Sequence, residues 1–361
     1  MIDNSIRESL KVPRYLLFWL ALTAGSCAAQ PYPTGHSDQS NACQQAIAYS
    51  NADRGLAVLV LKDGEPVCNS PDHDINEPHE LWSGTKSFLG IMAAIAAKDG
   101  LLSLDEPVAV TLTEWQGDPQ RSKVTLRHLL SMTSGHKSRI GRPPGYEAAV
   151  ASDINSLAGL KFQYGAVPSQ IFGEVMRRKL KAAGQSGGPR AYLEQRLFAP
   201  LGLAGYRWRN GPDKQPLMPQ GVIMSASEWA KFGEFVRLGG RVDGIQIVDQ
   251  ETFEALFEGS AANAAYGLSW WLPRPSSSKD VVTATTDIDD HADSLPDDMV
   301  VAAGAGNQRL YVIPSLGLTI VRLADLDLGA ALRGDKERWS DYVFLELTLN
   351  AAHSRSVPQN N

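Results

Sequence analysis

Strand-forming segments stand near both ends of the chain, and the long stretch between them has mainly helical patterns. Residues 56–61 form a near-continuous apolar run, typical of a strand covered on both faces. The Asp63-Gly64 pair that follows predicts a hairpin, with a return strand from residue 66. Further strands are predicted at residues 267–271, 309–313 and 318–323. One sheet is therefore expected to be built from both ends of the chain.

The helical patterns set the expected domain boundaries. Residues 85–98 are apolar almost all round, and Gly100 supplies a helix stop. Other helices are predicted over residues 44–51, 126–132, 169–183, 191–197, 227–238 and 336–350. We therefore predict an α/β fold of the α+β type, whose α/β domain is discontinuous. Its expected parts are a linker over 30–42, the α/β domain over 43–99 and 262–352, a helical domain with loops over 100–261, and a tail over 353–361.

Residues 1–29 have the layout of a secretory signal peptide. Arg7, Lys11 and Arg14 precede an apolar stretch at 15–25, and small residues follow it. Eleven residues are too few to cross a bilayer as a helix, which takes about 20. We therefore expect an exported protein, either periplasmic or lipid-anchored to the cell envelope.

The cysteines agree with export. Ala24-Gly25-Ser26-Cys27 is a loose bacterial lipobox, so Cys27 is a candidate for lipidation and membrane attachment. Cleavage after Ala28 or Ala29 by an ordinary signal peptidase is the alternative. Cys43 and Cys68 then remain as an even pair, and cysteines in an oxidising compartment tend to form disulfides. Two unrelated buried thiols are the alternative. Neither has the spacing of a zinc ligand, so no metal site is expected.

The charge of the chain argues against polyanionic partners. Its 34 Lys and Arg residues against 40 Asp and Glu residues give a formal net charge of −6. Binding to nucleic acid draws on clustered cations, and no run of this sequence forms such a patch. We therefore predict that nucleic acid is not a partner, and no cofactor is expected.

Ser83 and Lys86 are the first candidates for chemistry. They stand three residues apart at the start of the helix predicted over 85–98, so both lie on one face, about one turn apart. A Ser hydroxyl is a poor nucleophile until a base takes its proton. A Lys can be that base if burial lowers its pKa from about 10.4. The pattern Ser-x-x-Lys is weak alone, because an N-cap Ser and a surface Lys also produce it.

Further segments, in order along the chain, resemble the class C β-lactamase and penicillin-binding protein superfamily of serine hydrolases. They are VTLRHLLSMTSG at 124–135, FQYG at 162–165, FGE at 172–174, APLGL at 199–203, MSASEWAKFG at 224–233, YGLSWW at 266–271 and AGAGNQ at 303–308. The resemblance extends from about residue 55 to 350. It implies a β-lactamase/transpeptidase-like fold, in which an antiparallel sheet flanked by helices carries an inserted all-helical domain.

The resemblance also implies roles at matching positions. Ser83 would attack a carbonyl carbon and form an acyl-enzyme, while Lys86 and Tyr164 share the proton. The oxyanion hole would use the backbone N–H of Ser83 and that of Gln308 on the third-motif strand. A core tyrosine is the alternative for Tyr164. The other third-motif residues are Gly304, Ala305, Gly306 and Asn307.

Two departures from the family pattern bear on the substrate. The usual Tyr-x-Asn is Tyr164-Gly165-Ala166 here, so the amide that would hold an acylamino group is missing. Ala305 stands where the third motif usually has Lys or His, and Asn307 replaces a Gly. These changes favour a small-molecule ester or amide as substrate. A β-lactamase or DD-peptidase proper, or a non-catalytic sensor or binding protein, are the alternatives.

Three weaker signals have structural interpretations. Ser186 lies in a Gly-x-Ser-x-Gly pattern, but that elbow needs a preceding strand, and a basic helical stretch precedes it here. His128 and His136 suggest a Ser-His-Asp triad, yet the resemblance places His128 in a structural segment. The acidic loop 287–298 is expected to be solvated, with cation binding or substrate gating as the alternative.

Overall fold

The computed structural model describes residues 41–276, 286–329 and 339–354. Its main sheet has five strands, and all neighbouring pairs are antiparallel. The strands are β1 (Gly55–Lys62), β2 (Glu65–Asn69), β8 (Val300–Gly304), β9 (Gln308–Ile313) and β10 (Leu318–Ala324), in the order β2-β1-β10-β9-β8. The predicted sheet built from both ends of the chain is confirmed, and β8 is left at its edge.

Outside the main sheet, the described chain contains α-helices and short strands joined by turns and loops. The helices are α1 (Asn41–Ala52), α2 (Ser87–Lys98), α3 (Leu126–Leu130), α4 (Tyr146–Val150), α5 (Val167–Ala182), α6 (Gly188–Leu193), α7 (Ala226–Arg237), α8 (Gln250–Ala255) and α9 (Asp341–Ser354). The short strands are β3 (His79–Glu80), β4 (Arg207–Trp208) and β5 (Val222–Met224) in a sheet of order β3-β5-β4, and β6 (Arg241–Val242) paired with β7 (Ile245–Gln246). Within the described ranges, no helix is long and apolar enough to span a bilayer.

Both faces of the main sheet are covered, which explains the near-continuous apolar run in β1. Leu59 and Leu61 point into a hydrophobic cluster shared with α2 and α7, whereas Val58 and Val60 point into a second cluster shared with α1 and α9. Because successive side chains of a strand alternate between faces, every position of the strand has an apolar environment.

Helix α7 differs from its predicted place in the helical domain over 100–261, because it packs on the main sheet. A Cβ on Gly233 would lie 2.5 Å from Cγ2 of Thr319 and 2.7 Å from Cδ1 of Leu310. Thr319 also donates a hydrogen bond of 2.6 Å to Glu234. The glycine lets the helix approach the strands closely, so this part of the middle segment belongs to the sheet's covering layer.

The strand predicted at residues 267–271 is wrong. The structure has a tight turn there, closed by a bridge between Tyr266 and Trp271. Ser269 has a φ of 73°, in the left-handed region, which interrupts an extended chain. A Cβ on Gly267 would also overlap the carbonyl oxygen of Leu256, so this glycine permits a close backbone approach.

The predicted boundaries at the chain ends also shift. Helix α9 begins at Asp341 rather than 336, because Ser340 precedes it and its Oγ accepts a hydrogen bond of 3.2 Å from Val343 N–H. It continues to Ser354, into the predicted tail. Helix α1 begins at Asn41, inside the predicted linker. The signal peptide predicted over 1–29, with Cys27, lies outside the described residues.

Cys43 of α1 and Cys68 of β2 are joined by a disulfide in the structure, with their Cα atoms 5.6 Å apart. Both side chains are buried in the cluster between the sheet and its α1–α9 side. The bond closes a loop with a sequence separation of 25 residues. A loop of this length corresponds to about 3 kcal/mol of stabilisation by restriction of the unfolded chain.

Candidate active site

Ser83 lies on a 3₁₀ turn, Trp82–Lys86, that leads directly into α2. Trp82, the residue before it, has a φ of 48°. A non-glycine residue in this region carries backbone strain, and such strain is concentrated at functional sites. Gly84 follows, and a Cβ there would lie 2.9 Å from the ring of Trp229. A close-packed, strained turn therefore presents Ser83.

Lys86 is bound to Ser83 at the base of this turn. Its Nζ lies 3.0 Å from Ser83 Oγ and donates a second hydrogen bond of 3.0 Å to the carbonyl oxygen of Pro219. The side chain is only 4% exposed, and burial lowers its pKa to about 7. A substantial fraction of Lys86 is therefore neutral at neutral pH and able to accept the Ser83 proton.

Tyr164 is the third group of the site. Its hydroxyl is hydrogen-bonded with Ser83, and Lys86 Nζ lies 4.7 Å from its ring centroid. Burial raises the pKa of Tyr164 to about 12, although the bond to Ser83 and the charge of Arg309 act in the opposite direction. The phenol therefore stays protonated at neutral pH. The structure brings the three predicted residues together and favours Lys86 over Tyr164 as the proton acceptor.

The departure after Tyr164 has a packing reason. A Cβ on Gly165 would overlap Oγ of Ser138 and lie 2.5 Å from the backbone N of Arg139. The loop at 138–139 thus occupies the space that a side chain would need. Ala166, which precedes α5, is buried and offers no amide.

Gly304 lies directly against the turn that carries Ser83. A Cβ on Gly304 would overlap the carbonyl oxygen of Leu81 and lie 3.1 Å from the backbone N of Gly84. Only glycine allows the end of β8 to approach the Ser83 segment so closely. The glycine at this third-motif position is therefore required by the close contact between β8 and the Ser83 turn.

The position of Gln308 does not favour its predicted oxyanion role. It pairs with Gly304 from β9, one strand further from the Ser83 turn, and its side chain is bound to Ala324 by hydrogen bonds of 2.6 and 2.9 Å. Ala305, the residue after Gly304, follows the end of the edge strand itself and is exposed. The strand end at 304–305 therefore lies nearer to Ser83 than Gln308 does.

The other third-motif residues form the turn between β8 and β9. Gly306 and Asn307 have φ values of 73° and 60°, and Asn tolerates this region better than most side chains. Asn307 is fully buried, and its Nδ2 donates a hydrogen bond of 3.0 Å to Asp53. These contacts explain why Asn can stand where the family has Gly.

Arg309 is directed toward helix α9. Its guanidinium is 1% exposed and forms an ion pair with the fully buried Asp341, with Nε 2.7 Å from Oδ1. Tyr311 donates a short hydrogen bond to the same carboxylate. Burying a charge is costly unless it is paired, so this pair fixes the direction of the guanidinium.

The alternative nucleophile and triad residues have other surroundings. Ser186 is exposed in the loop between α5 and α6, and a helix rather than a strand precedes it. His128 forms a capping box with Thr125 at the start of α3. His136 is buried against Ser134 and Trp115, and burial lowers its pKa to about 4. None of these contacts involves Ser83.

The acidic loop has structural contacts at both ends. Asp287 accepts hydrogen bonds of 2.5 Å from Ser340 Oγ and 3.1 Å from Tyr342 N–H, at the start of α9. Asp298 binds the backbone and hydroxyl of Ser315. Over the described ranges, no group of three or more His, Cys, Asp or Glu side chains is arranged to hold a metal ion.

Sequence reasoning missed two contributors to the site. Pro219 acts through its backbone carbonyl, which leaves no trace in the choice of side chain. Trp82 has a positive φ although it is not a glycine, so its residue type gives no sign of this conformation. The Cζ atom of Arg209 lies 5.6 Å from the centroid of the Trp82 ring. A signal existed only for Trp82, as the residue before the candidate nucleophile.

Comparison with known proteins identifies the family. The family model described as "Beta-lactamase" matches residues 43–341, most of the chain. The chain belongs to the β-lactamase family. The family resemblance expected from the sequence is thereby confirmed.

Solved structures of this β-lactamase fold overlay on most of the chain. A protein of Bacteroides dorei, assigned provisionally as a β-lactamase, has a TM-score of 0.66 and 16% identity, and the match covers 86% of this chain and 97% of the other. A protein of Bacillus anthracis, assigned provisionally as a 6-aminohexanoate-dimer hydrolase, has a TM-score of 0.65 and 16% identity over 87% and 83% of the two chains. EstCE1, a hydrolase with promiscuous acyltransferase activity, has a TM-score of 0.62 and 15% identity over 86% and 96%. At these identities the likeness establishes the fold alone.

Proposed function

We propose that this β-lactamase-family protein is a serine hydrolase that cleaves a neutral carboxylic ester or amide through an acyl-enzyme on Ser83. The observation that carries the proposal is the 3.0 Å contact between Ser83 Oγ and Lys86 Nζ, with the pKa of the buried ammonium lowered to about 7. A nucleophile and a base in hydrogen-bond contact are the minimum machinery for acyl transfer. The names of two structural relatives, a provisionally assigned 6-aminohexanoate-dimer hydrolase and a hydrolase with promiscuous acyltransferase activity, are consistent with it.

The reaction follows from these positions. Neutral Lys86 accepts the proton as Ser83 Oγ attacks the carbonyl carbon, and the oxyanion that forms is held by backbone N–H groups. The ammonium of Lys86 then returns a proton to the leaving alcohol or amine, with Tyr164 as a neutral hydrogen-bond donor beside it. A water molecule attacks the acyl-enzyme with Lys86 again as base, which releases the acid and restores Ser83.

The preference for neutral substrates rests on the absence of a third-motif cation. Ala305 contributes no charge, and Arg309 is directed at Asp341 on the other side of the strand end. A charge-assisted hydrogen bond to a substrate carboxylate contributes about 1.5–3 kcal/mol where it exists. Without this bond, the binding preference for a carboxylate-bearing substrate over a neutral one falls by about 10- to 150-fold.

We therefore expect a higher kcat/KM for a short neutral p-nitrophenyl ester than for nitrocefin. The substitution Ala305→Lys should raise kcat/KM for anionic acyl donors by up to about 10- to 150-fold, because it supplies the missing cation. Ala305→Met is the matched control, since it adds similar length without charge and should not produce this gain. Steady-state kinetics on both substrates with the three proteins measures the effect.

Faster turnover of nitrocefin by the wild-type protein would contradict this preference and favour the β-lactamase alternative. A third arm with a D-Ala-D-Ala peptide tests the DD-peptidase alternative. Failure of a fluorophosphonate probe to label the wild-type protein would instead favour a non-catalytic sensor. The three outcomes are distinct in one panel.

We also propose that the protein is exported, which rests on the layout of residues 1–29 and on the even pair Cys43 and Cys68. Protein isolated from the cell envelope should lack its first 25 to 30 residues, as intact-mass measurement would show. Alkylation without prior reduction should leave Cys43 and Cys68 unmodified, because a disulfide blocks both thiols. A lipid-modified N-terminus at Cys27 would identify a lipoprotein; an unprocessed chain or two alkylated thiols would contradict export.

A further inference from the structure

The buried cation Arg309 contacts the strand end that packs against the Ser83 turn. Its Nη1 donates a hydrogen bond of 3.1 Å to the carbonyl oxygen of Gly304. The same guanidinium donates to the carbonyl of Gln308 at 3.0 Å and to Oδ1 of Asn307 at 3.2 Å. It therefore holds both arms of the turn between β8 and β9.

The direction of the Gly304 carbonyl fixes the direction of the next N–H. In a trans peptide, the C=O of Gly304 and the N–H of Ala305 point to opposite sides. Because the carbonyl points toward β9 and Arg309, the Ala305 N–H points to the open side of β8. Val301, further back on β8, exchanges two 2.9 Å hydrogen bonds with Trp271 on that open side, as the alternation of an edge strand requires.

The Ser83 turn packs against the end of β8, on the face to which a side chain at Gly304 would point. Gly304 is packed directly against Leu81 and Gly84, the neighbours of Ser83 on the 3₁₀ turn. The Ala305 N–H, on the next residue, therefore stands beside the turn that carries the Ser83 N–H. Two backbone N–H groups in such an arrangement are the donors of an oxyanion hole.

We propose that Arg309 is a positioning residue for the oxyanion hole, which fixes and polarises the Gly304–Ala305 peptide so that the Ala305 N–H can stabilise the oxyanion. A cation that binds the carbonyl oxygen withdraws electron density through the amide and strengthens donation by its N–H. Arg309 acts from behind the peptide and does not touch the substrate. This inference rests on the proposed acyl transfer at Ser83.

The ion pair with Asp341 holds the Arg309 guanidinium against the Gly304 carbonyl. Its two contacts, Nε to Oδ1 at 2.7 Å and Nη2 to Oδ2 at 3.3 Å, are bidentate and buried. A preorganised donor costs no reorganisation when charge develops in the transition state. Burial raises the pKa of Tyr164, and the hydrogen bond with Ser83 opposes that increase. The charge of Arg309 opposes it as well, by a smaller amount.

The test compares the rate of phosphonylation by a fluorophosphonate probe in four full-length proteins, because this reaction needs the nucleophile and the oxyanion hole but no knowledge of the natural substrate. Arg309→Gln removes the charge and should lower the rate constant by about 10- to 100-fold, somewhat less than the loss of an oxyanion donor itself. Arg309→Lys keeps a cation but cannot bind Asp341 and Gly304 at the same time. Its rate constant should therefore lie between those of the wild-type protein and Arg309→Gln. Arg322→Gln is the control, since Arg322 is equally buried on β10 but binds Ser50 and Asn307 rather than Gly304.

The end-point stoichiometry of labelling separates positioning from folding. The rate constant should fall while the fraction of molecules finally labelled stays at the wild-type value, whereas misfolding lowers that fraction. With a neutral ester, kcat should fall with little change in KM. A wild-type rate in folded Arg309→Gln would overturn the inference, and where that variant does not fold, a wild-type rate in Arg309→Lys would do so. Absence of labelling in the wild-type protein would instead contradict the proposed function.

Discussion

Replacing Ser83 with Ala is expected to lower kcat/KM for a neutral ester by ~10⁴-fold or more, because nucleophile and base act as one unit and neither is useful alone. The substitution removes the oxygen that Lys86 contacts at 3.0 Å and that Tyr164 also binds. It leaves the turn and helix α2 in place, since Ser83 contributes no cap hydrogen bond to either. Ester turnover measures the loss of activity, intact-mass labelling with a fluorophosphonate measures the loss of the reactive oxygen, and thermal unfolding shows that the fold is retained.

Ser186→Ala is the matched control for that experiment. Ser186 is the serine of the Gly-x-Ser-x-Gly pattern and lies exposed between α5 and α6. Its removal should leave both turnover and labelling unchanged. A probe adduct mapped to Ser186 by peptide mass spectrometry, with activity surviving in Ser83→Ala, would reverse the assignment.

Lys86→Met should lower kcat/KM by ~10³-fold or more, because it removes the base while keeping most of the apolar stem in its buried site. The wild-type enzyme should also show an acid limb in its pH profile. The pKa of Lys86 is lowered to about 7 by burial, and only the neutral amine can accept the Ser83 proton. Activity is therefore lost as pH falls through about 7 and approaches a plateau above it.

Lys86→Arg distinguishes the role of the base from that of the charge. An arginine keeps a cation beside Tyr164 but cannot be deprotonated in a protein. It should therefore be as inactive as Lys86→Met over the whole pH range. A wild-type profile with no acid limb near 7, or an active Lys86→Arg, would show that another group accepts the proton.

Much of the fold was predictable, because its signals are local. The apolar run of β1 and the Asp-Gly turn after it predict the first hairpin, and α5 and α7 begin and end close to their predicted residues. The failure at 267–271 has a different cause. The aromatic residues there look strand-like, yet Trp270 and Trp271 are buried by contacts with distant segments while the backbone turns at Ser269.

Within the site, side chains were easier to predict than backbone groups. Ser83, Lys86 and Tyr164 were chosen from motifs by residue type, and the structure places them in mutual contact. Assigning the proposed second oxyanion donor requires knowing which strand lies against Ser83. Gly304 and Gln308 are separated by one tight turn, and only the sheet order shows that β8 is the strand beside the nucleophile.

The packing of Gly165 against residues 138–139 limits how this site can be redesigned. Grafting the family's Tyr-x-Asn pattern onto positions 164–166, with any residue but glycine at 165, would force a side chain into space that Ser138 and the Arg139 backbone already fill. Recognition of an acylamino group therefore cannot be restored by changing the motif alone. In a directed-evolution experiment, substitutions that withdraw the 138–139 loop should have to accumulate first, and the order of mutations, rather than their sum, would decide whether the route is open.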